Sequence, residues 1–316
     1  TDLNGMSCSG LGYGSGTLKC GSKCTFDTSG CKSPSSCAAK IPAFACTKGD
    51  AACKKIELFS PTNGYGYMVT HGKTFSWLRH DTAMLVKHAA ARTKCVMPGS
   101  FPLGLGDMSM SDAGTPASNG QLRHPGSTHD GGRDIDIAYY QLGTPNNHLR
   151  AVCPYTIDGK NQYHCVGEPN ALDVPRTAMF IASLALSPRT RVIGVDGKIG
   201  PYVVKQAKEL AAKKLITHRA AKLVASRLAF EVKNEGAGWY HHHHHHLHLS
   251  TFTTKYAATS AAPPPPPISD QEPSSGFEAQ ASNSKTVWSN DRWMPPMSLR
   301  DHLDLRRRPR AYRKKQ

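Results

Sequence analysis

The stretch that decides the fold reads His124-Pro125-Gly126-Ser127-Thr128-His129-Asp130-Gly131-Gly132-Arg133-Asp134-Ile135-Asp136-Ile137. Its last four residues alternate polar and apolar with the period of two that a β-strand imposes. In that register Asp134 and Asp136 share one face while Ile135 and Ile137 enter a core. Two carboxylates on a strand between buried isoleucines need a partner, because an uncompensated buried charge is expensive. A cation meets that need. Gly131 and Gly132 let the backbone turn between the strand and His129, which stands seven residues before Asp136.

A second segment, more than a hundred residues further on, supplies the rest. Gly238-Trp239-Tyr240 leads into six consecutive histidines, His241 to His246, followed by Leu247-His248-Leu249-Ser250. On a strand His246 and His248 project to the same side, so one imidazole can bind a metal while the other acts on bound water or supports the ligand. Three protein ligands of the His/Asp/His type leave a fourth position open, which distinguishes a catalytic zinc from a closed structural one. His129 and Asp136 therefore read as ligands together with one imidazole of the His246/His248 pair, and the expected cofactor is Zn2+. Six histidines in a row are ordinarily an expression tag, yet tags sit at termini. Here 70 residues follow, and the run is continuous with a strand pattern, so it reads as native.

Outward from these segments the 316-residue chain divides by composition. Ten cysteines include seven in the first 53 residues, with no Cys-x-x-Cys pair, which argues against a zinc ribbon or a thioredoxin-type redox motif. An even count in a Gly- and Ser-rich stretch reads as disulfides, formed in an oxidising compartment and in a connectivity the spacing leaves open. The expected organisation is a disulfide module over 1–37, a linker over 38–54, a core-forming domain with the metal site over 55–254 and a Pro-rich, basic, disordered tail over 255–316. The tail begins near the five prolines Pro263 to Pro267 and ends in a run of Arg and Lys.

Within 55–254, strands are expected at Tyr67–Thr70, Phe101–Leu105, Ile135–Tyr139, Val192–Val195 and Leu247–Phe252. Helices are expected at 80–94, 175–187 and 201–230, the last by its apolar three-and-four spacing. The fold class is α+β, a small antiparallel sheet with flanking helices holding the zinc site. Tyr139, Tyr140 and Trp239 flank the motifs, as cleft walls or, by the more ordinary reading, as core aromatics. His124 and His164 read as ordinary loop histidines. No run of 18 apolar residues occurs, so no transmembrane segment is expected. The absence of an initiator Met or apolar leader reads as a mature or truncated fragment, and the cysteines point to an exported protein, periplasmic or extracellular. The net charge of +16 suits a polyanionic partner. No long basic stripe appears before the last dozen residues, which points away from nucleic acid and leaves anionic lipid or an anionic wall polymer as the contact its basic surface would make.

The order and spacing of the two segments resemble the penicillin-insensitive murein endopeptidases, within the metallopeptidase group that includes lysostaphin, D-alanyl-D-alanine peptidases and the hedgehog signalling domain. The likeness runs over roughly 55–252 and includes Gly106-Asp107-Met108 and the stretch from Arg191 to Pro201. It implies zinc on His129, Asp136 and His248, a zinc-bound water as nucleophile, and His246 as general base. The substrate it implies is the peptide stem of cross-linked peptidoglycan. Asp134 is expected to orient a ligand. Two departures stand out. The family carries a further His three residues before the first ligand, where this chain has Gly126, with His124 the nearest histidine. It also uses a His five residues before the last ligand, which is His243. An offset of five on an ideal strand points away from His248, so His243 serves only if the chain bends first. A D,D-carboxypeptidase on the same scaffold would need a cationic cap on its cleft, for which Arg133 is the candidate. A non-catalytic wall-binding or metal-sequestering protein is the rival from another class. The sequence leaves the oligomeric state open.

Overall fold

The structure, a computed structural model, describes residues 8, 15–20, 26–27, 29–32, 37–43, 51–126, 128–231 and 243–252. The expected disordered tail, together with Trp239 and Tyr240, lies outside the described residues.

The described chain is a mixed α/β fold of four helices and several small ribbons around one larger sheet. In chain order the sheet strands are β1 (Asn63–Gly64), β2 (Tyr67–Val69), β3 (Leu103–Leu105), β4 (Asp134–Ala138), β5 (Thr190–Asp196), β6 (Leu228–Glu231) and β7 (His246–Thr251). They lie side by side as β6-β5-β7-β4-β3-β2-β1. The helices are α1 (His80–Val96), α2 (Val174–Ala185), α3 (Ile199–Ala212) and α4 (His218–Arg227).

The antiparallel expectation holds at the centre and fails toward both edges. β7 is antiparallel to β4 and to β5, whereas β2–β3 and β5–β6 are parallel. The reason is the crossover that parallel strands require. α1 lies between β2 and β3 in sequence, and α3 with α4 lies between β5 and β6. The single helix expected over 201–230 is two helices and a strand. Lys214 adopts φ 60°, and the Leu215 amide turns back to the Leu210 carbonyl at 3.0 Å, closing α3. Thr217 then caps α4, its hydroxyl accepting from the Ala220 amide at 3.1 Å.

Ile135, Ile137, Leu247 and Leu249 are buried together with Met179, Phe180 and Leu184 of α2. One face of the central strand pair therefore packs against helix, and alternation assigns Asp134, Asp136, His246 and His248 to the other. Tyr139 and Tyr140 belong to the core, at 0% and 2% exposure. Disulfides join Cys8 to Cys31, Cys37 to Cys95 and Cys153 to Cys165. The second ties the end of the cysteine-rich segment to α1. No helix among the described residues is long and apolar enough to cross a membrane.

Candidate metal centre

β4 and β7 pair so that Asp136 lies directly opposite His248, Asp134 opposite Ser250 and Ala138 opposite His246. His129 arrives from the preceding loop. Its φ is 51°, and Gly131 and Gly132 follow at 63° and 65°, so three left-handed residues in four turn the chain before the strand begins. The loop is pinned by hydrogen bonds from the Gly131 amide to the Ala113 carbonyl (2.7 Å) and from the Arg79 amide to the Gly132 carbonyl (3.0 Å).

The result is a convergence on one carboxylate oxygen. Asp136 Oδ1 lies 3.1 Å from His248 Nδ1, 3.2 Å from His129 Nε2 and 3.3 Å from His246 Nε2. The far nitrogen of His248, Nε2, is 3.4 Å from Asp134 Oδ1. His124 stacks on His129 with centroids 3.8 Å apart, and its Nε2 is 3.8 Å from Asp136 Oδ2. His124, His129 and Asp136 each offer one ligand atom, all within 4.8 Å of one another, a group that could hold a metal ion. Sequence spacing passes over His124. Its clearest sign is Asp107, which belongs to the Gly-Asp-Met motif but has no role assigned by pattern alone: Asp107 Oδ2 accepts from His124 Nε2 at 2.9 Å and from Arg123 Nε at 2.7 Å. The other oxygen of Asp107 lies 2.6 Å from His71 Nδ1.

His243 reaches the site by the bend its offset demanded. It sits in a turn before β7, with its ring 5.1 Å from that of His246 and 6.2 Å from that of His248. The Tyr139 hydroxyl holds the turn by donating to the His243 carbonyl at 2.9 Å.

Burial by itself would push the Asp134 and Asp136 carboxyls upward. The surrounding imidazoles outweigh it: His248 is the chief partner holding Asp134 down at about 2, and His246 and His129 hold Asp136 well below the usual carboxylate range. Burial likewise disfavours the charged form of His248, yet its bonds to Asp134 and Asp136 prevail and raise it to about 9. For Asp107 burial again opposes ionisation, and His124, His71 and Arg123 lower it in spite of that.

These shifts fix a pH window for the metal-free protein. The lowered Asp134 contributes stability that is present above pH 3.8 and lost as pH falls toward 2. The raised His248 contributes stability that is present below pH 6.5 and lost as pH rises through 9. With chelator present, the melting-temperature difference between wild type and Asp134→Asn should be greatest between about pH 4 and 6.5 and shrink on both sides. A difference that keeps growing from pH 7 to 9 would contradict the pairing.

Scanning this chain against models of protein families finds no match, and a search of curated proteins finds none either.

Proposed function

We propose that the chain is a zinc-dependent peptidase that hydrolyses peptide cross-links of bacterial peptidoglycan, of the D,D-endopeptidase type. The observation that carries this reading is the approach of His248 Nδ1, His129 Nε2 and His246 Nε2 to a single oxygen of Asp136. Donors about 2.0–2.2 Å from a tetrahedral zinc lie roughly 3.3 Å from one another. The distances of His248 and His129 from Asp136, 3.1 and 3.2 Å, match that spacing. Neither ring nitrogen of the buried His129 has a hydrogen-bond partner; Nε2 faces Asp136 at bonding distance but not in a bonding direction. A buried imidazole left in that way suits a metal ligand, and imidazole with carboxylate suits zinc.

His129, Asp136 and His248 would hold the ion. His248 is preferred to His124 as the third ligand because the His124 nitrogen is already bonded to Asp107 at 2.9 Å and stands 3.8 Å from Asp136. Zinc, when bound, supplies Lewis acidity and lowers the pKa of water in its open position. His246 Nε2 takes the proton from the attacking water and returns it to the leaving amine. Asp134 fixes the His248 ring through Nε2, so that Nδ1 faces Asp136. His124, tethered by Asp107, stacks on His129 and keeps that ring in place. The carboxypeptidase alternative is weakened by Arg133, whose guanidinium is paired with Asp130 and so is engaged rather than offered to a substrate terminus. The +16 charge and the disulfides among the described residues fit work outside the cytoplasm on an anionic wall.

Digestion of purified peptidoglycan with and without chelator, with products resolved by mass, tests the reading. Expected are cleaved cross-links, lost with chelator and restored by zinc, and one zinc per chain that His129→Ala releases. Absence of chelator-sensitive cleavage sinks the peptidase. Several weakly held metals that survive His129→Ala would favour sequestration instead. In the same assay His246→Ala should keep its zinc and lose roughly 10²- to 10⁴-fold in rate, the range of a general base.

A further inference from the structure

The proposed chemistry uses His246, with His243 beside it, and leaves His244 and His245 of the histidine run without a part. His245 Nδ1 and His246 Nδ1 lie 2.8 Å apart. The His245 ring centroid is 4.5 Å from that of His246 and 4.8 Å from that of His244. His246 is buried and His245 partly exposed, so the pair is reached from solvent through His245. The other nitrogen of His246 faces Asp136 Oδ1 at 3.3 Å. A single ring thus links a partly buried nitrogen pair to the carboxylate at the centre of the site.

A neutral imidazole has one N–H and one lone pair, so two ring nitrogens 2.8 Å apart are joined by one proton. For His246 to accept a proton at Nε2, its own hydrogen must sit on Nδ1 and be donated to His245. We propose that His245 and His246 form a second seat, through both Nδ1 atoms, for a divalent transition-metal cation, and that filling this seat disables the base at His246. The cation takes a lone pair from each Nδ1. The hydrogen on His246 Nδ1 then moves to Nε2, with no net gain or loss of protons. Nε2 becomes a donor facing Asp136 and has no lone pair left to accept a proton from water.

The spacing suits such an ion. Neighbouring nitrogens in an octahedral site with bonds of about 2.1 Å lie roughly 3.0 Å apart, and in a tetrahedral zinc site roughly 3.3 Å. A small rotation of the partly exposed His245 supplies the difference. Two imidazoles make a weaker site than two imidazoles and a carboxylate, so the seats fill in order. Low zinc activates and excess zinc inhibits. Only this consequence for activity rests on the peptidase reading; the seat itself does not.

The test adds zinc stepwise to the full chain labelled with nitrogen-15 in its histidines. The first equivalent should shift the ring resonances of His129 and His248. Further zinc should shift His246 Nδ1 to a metal-bound position and place a hydrogen on Nε2. Cleavage of peptidoglycan at excess zinc should fall roughly a hundredfold below its rate at one equivalent, the lower end of a general base's contribution. In His245→Ala the ratio of those two rates should return close to one, with the first-equivalent shifts retained; His245→Gln serves if the alanine variant does not fold. A variant with both His241→Ala and His242→Ala should keep the inhibition. Inhibition that persists without His245, or a His246 Nδ1 unmoved by excess zinc, overturns the second seat. If no zinc level yields cleavage, the peptidase reading fails by itself, and the ring resonances still decide the seat.

Discussion

Asp136→Asn is expected to release the metal and lower chelator-sensitive cleavage by about a thousandfold or more, with the fold retained. The size follows from what the carboxylate does. Among the described residues it is approached by His248, His129 and His246 together, and metal-based stabilisation of a transition state is worth several kcal/mol, with about 1.4 kcal/mol per factor of ten. An amide keeps the shape and one acceptor oxygen but lacks the charge that draws a cation. Asp134 remains to hold His248 from its other side at 3.4 Å, so the strand pair should survive. Zinc content by elemental analysis, cleavage rate and near-ultraviolet circular dichroism on the same sample check this. Full zinc occupancy in the variant would remove Asp136 from the ligand set.

Gly132→Ala is expected to destabilise the protein by about 3 kcal/mol, which for a domain of this size lowers the melting temperature by roughly 10 °C. Two effects add. A side chain at φ 65° is strained by about 1 kcal/mol or more. The added methyl would also stand 2.6 Å from the Arg79 amide nitrogen and 3.0 Å from the Leu78 carbonyl carbon, both backbone atoms that cannot rotate aside. Gly143 is the control, because its φ is 67° yet nothing lies within 4 Å of the place its methyl would take. Gly143→Ala should show the strain alone, about 1 kcal/mol. Equal unfolding midpoints for the two variants in zinc-free buffer would show that the contact with Leu78 and Arg79 is not rigid. Because the Gly132 carbonyl accepts from that same Arg79 amide, displacement there also moves the turn that carries His129.

What could be read in advance follows the range of the interactions involved. Asp134-Ile135-Asp136-Ile137 and Leu247-His248-Leu249-Ser250 each announce a strand through alternation, and both are strands in the structure. Their alternation also put the acidic and imidazole side chains on one face, opposite the isoleucines and leucines. The break in the long helix was local but subtle. Thr217 is an ordinary cap residue, and the apolar spacing continues through it closely enough to conceal the turn at Lys214. Leu228–Glu231 was absorbed into the same helix because a four-residue edge strand has too few residues for a period to show. The parallel pairings were legible in principle, since each has a helix between its two strands. His124 could not be found by spacing, because its place beside His129 depends on Asp107, seventeen residues away and fixed by tertiary contacts. His243 turned on whether the chain bends before β7, where the Tyr139 hydroxyl, from the residue just after β4, holds the turn.

The position of β7 sets the order in which the molecule can be completed. It is the last of the sheet strands along the chain, yet it lies between β4 and β5 in the middle of the sheet. Until it arrives, β4 and β5 each present an open hydrogen-bonding edge, and the gap between them is about two strand spacings, close to 10 Å. A chain emerging from its N-terminus therefore holds the largest described sheet in two unjoined halves until β7 is available. Closure is a long-range event, slow by the loop entropy it must overcome. His129 and Asp136 meet His248 only once β7 has docked, so the cluster is completed late, and a chain clipped before β7 cannot assemble it.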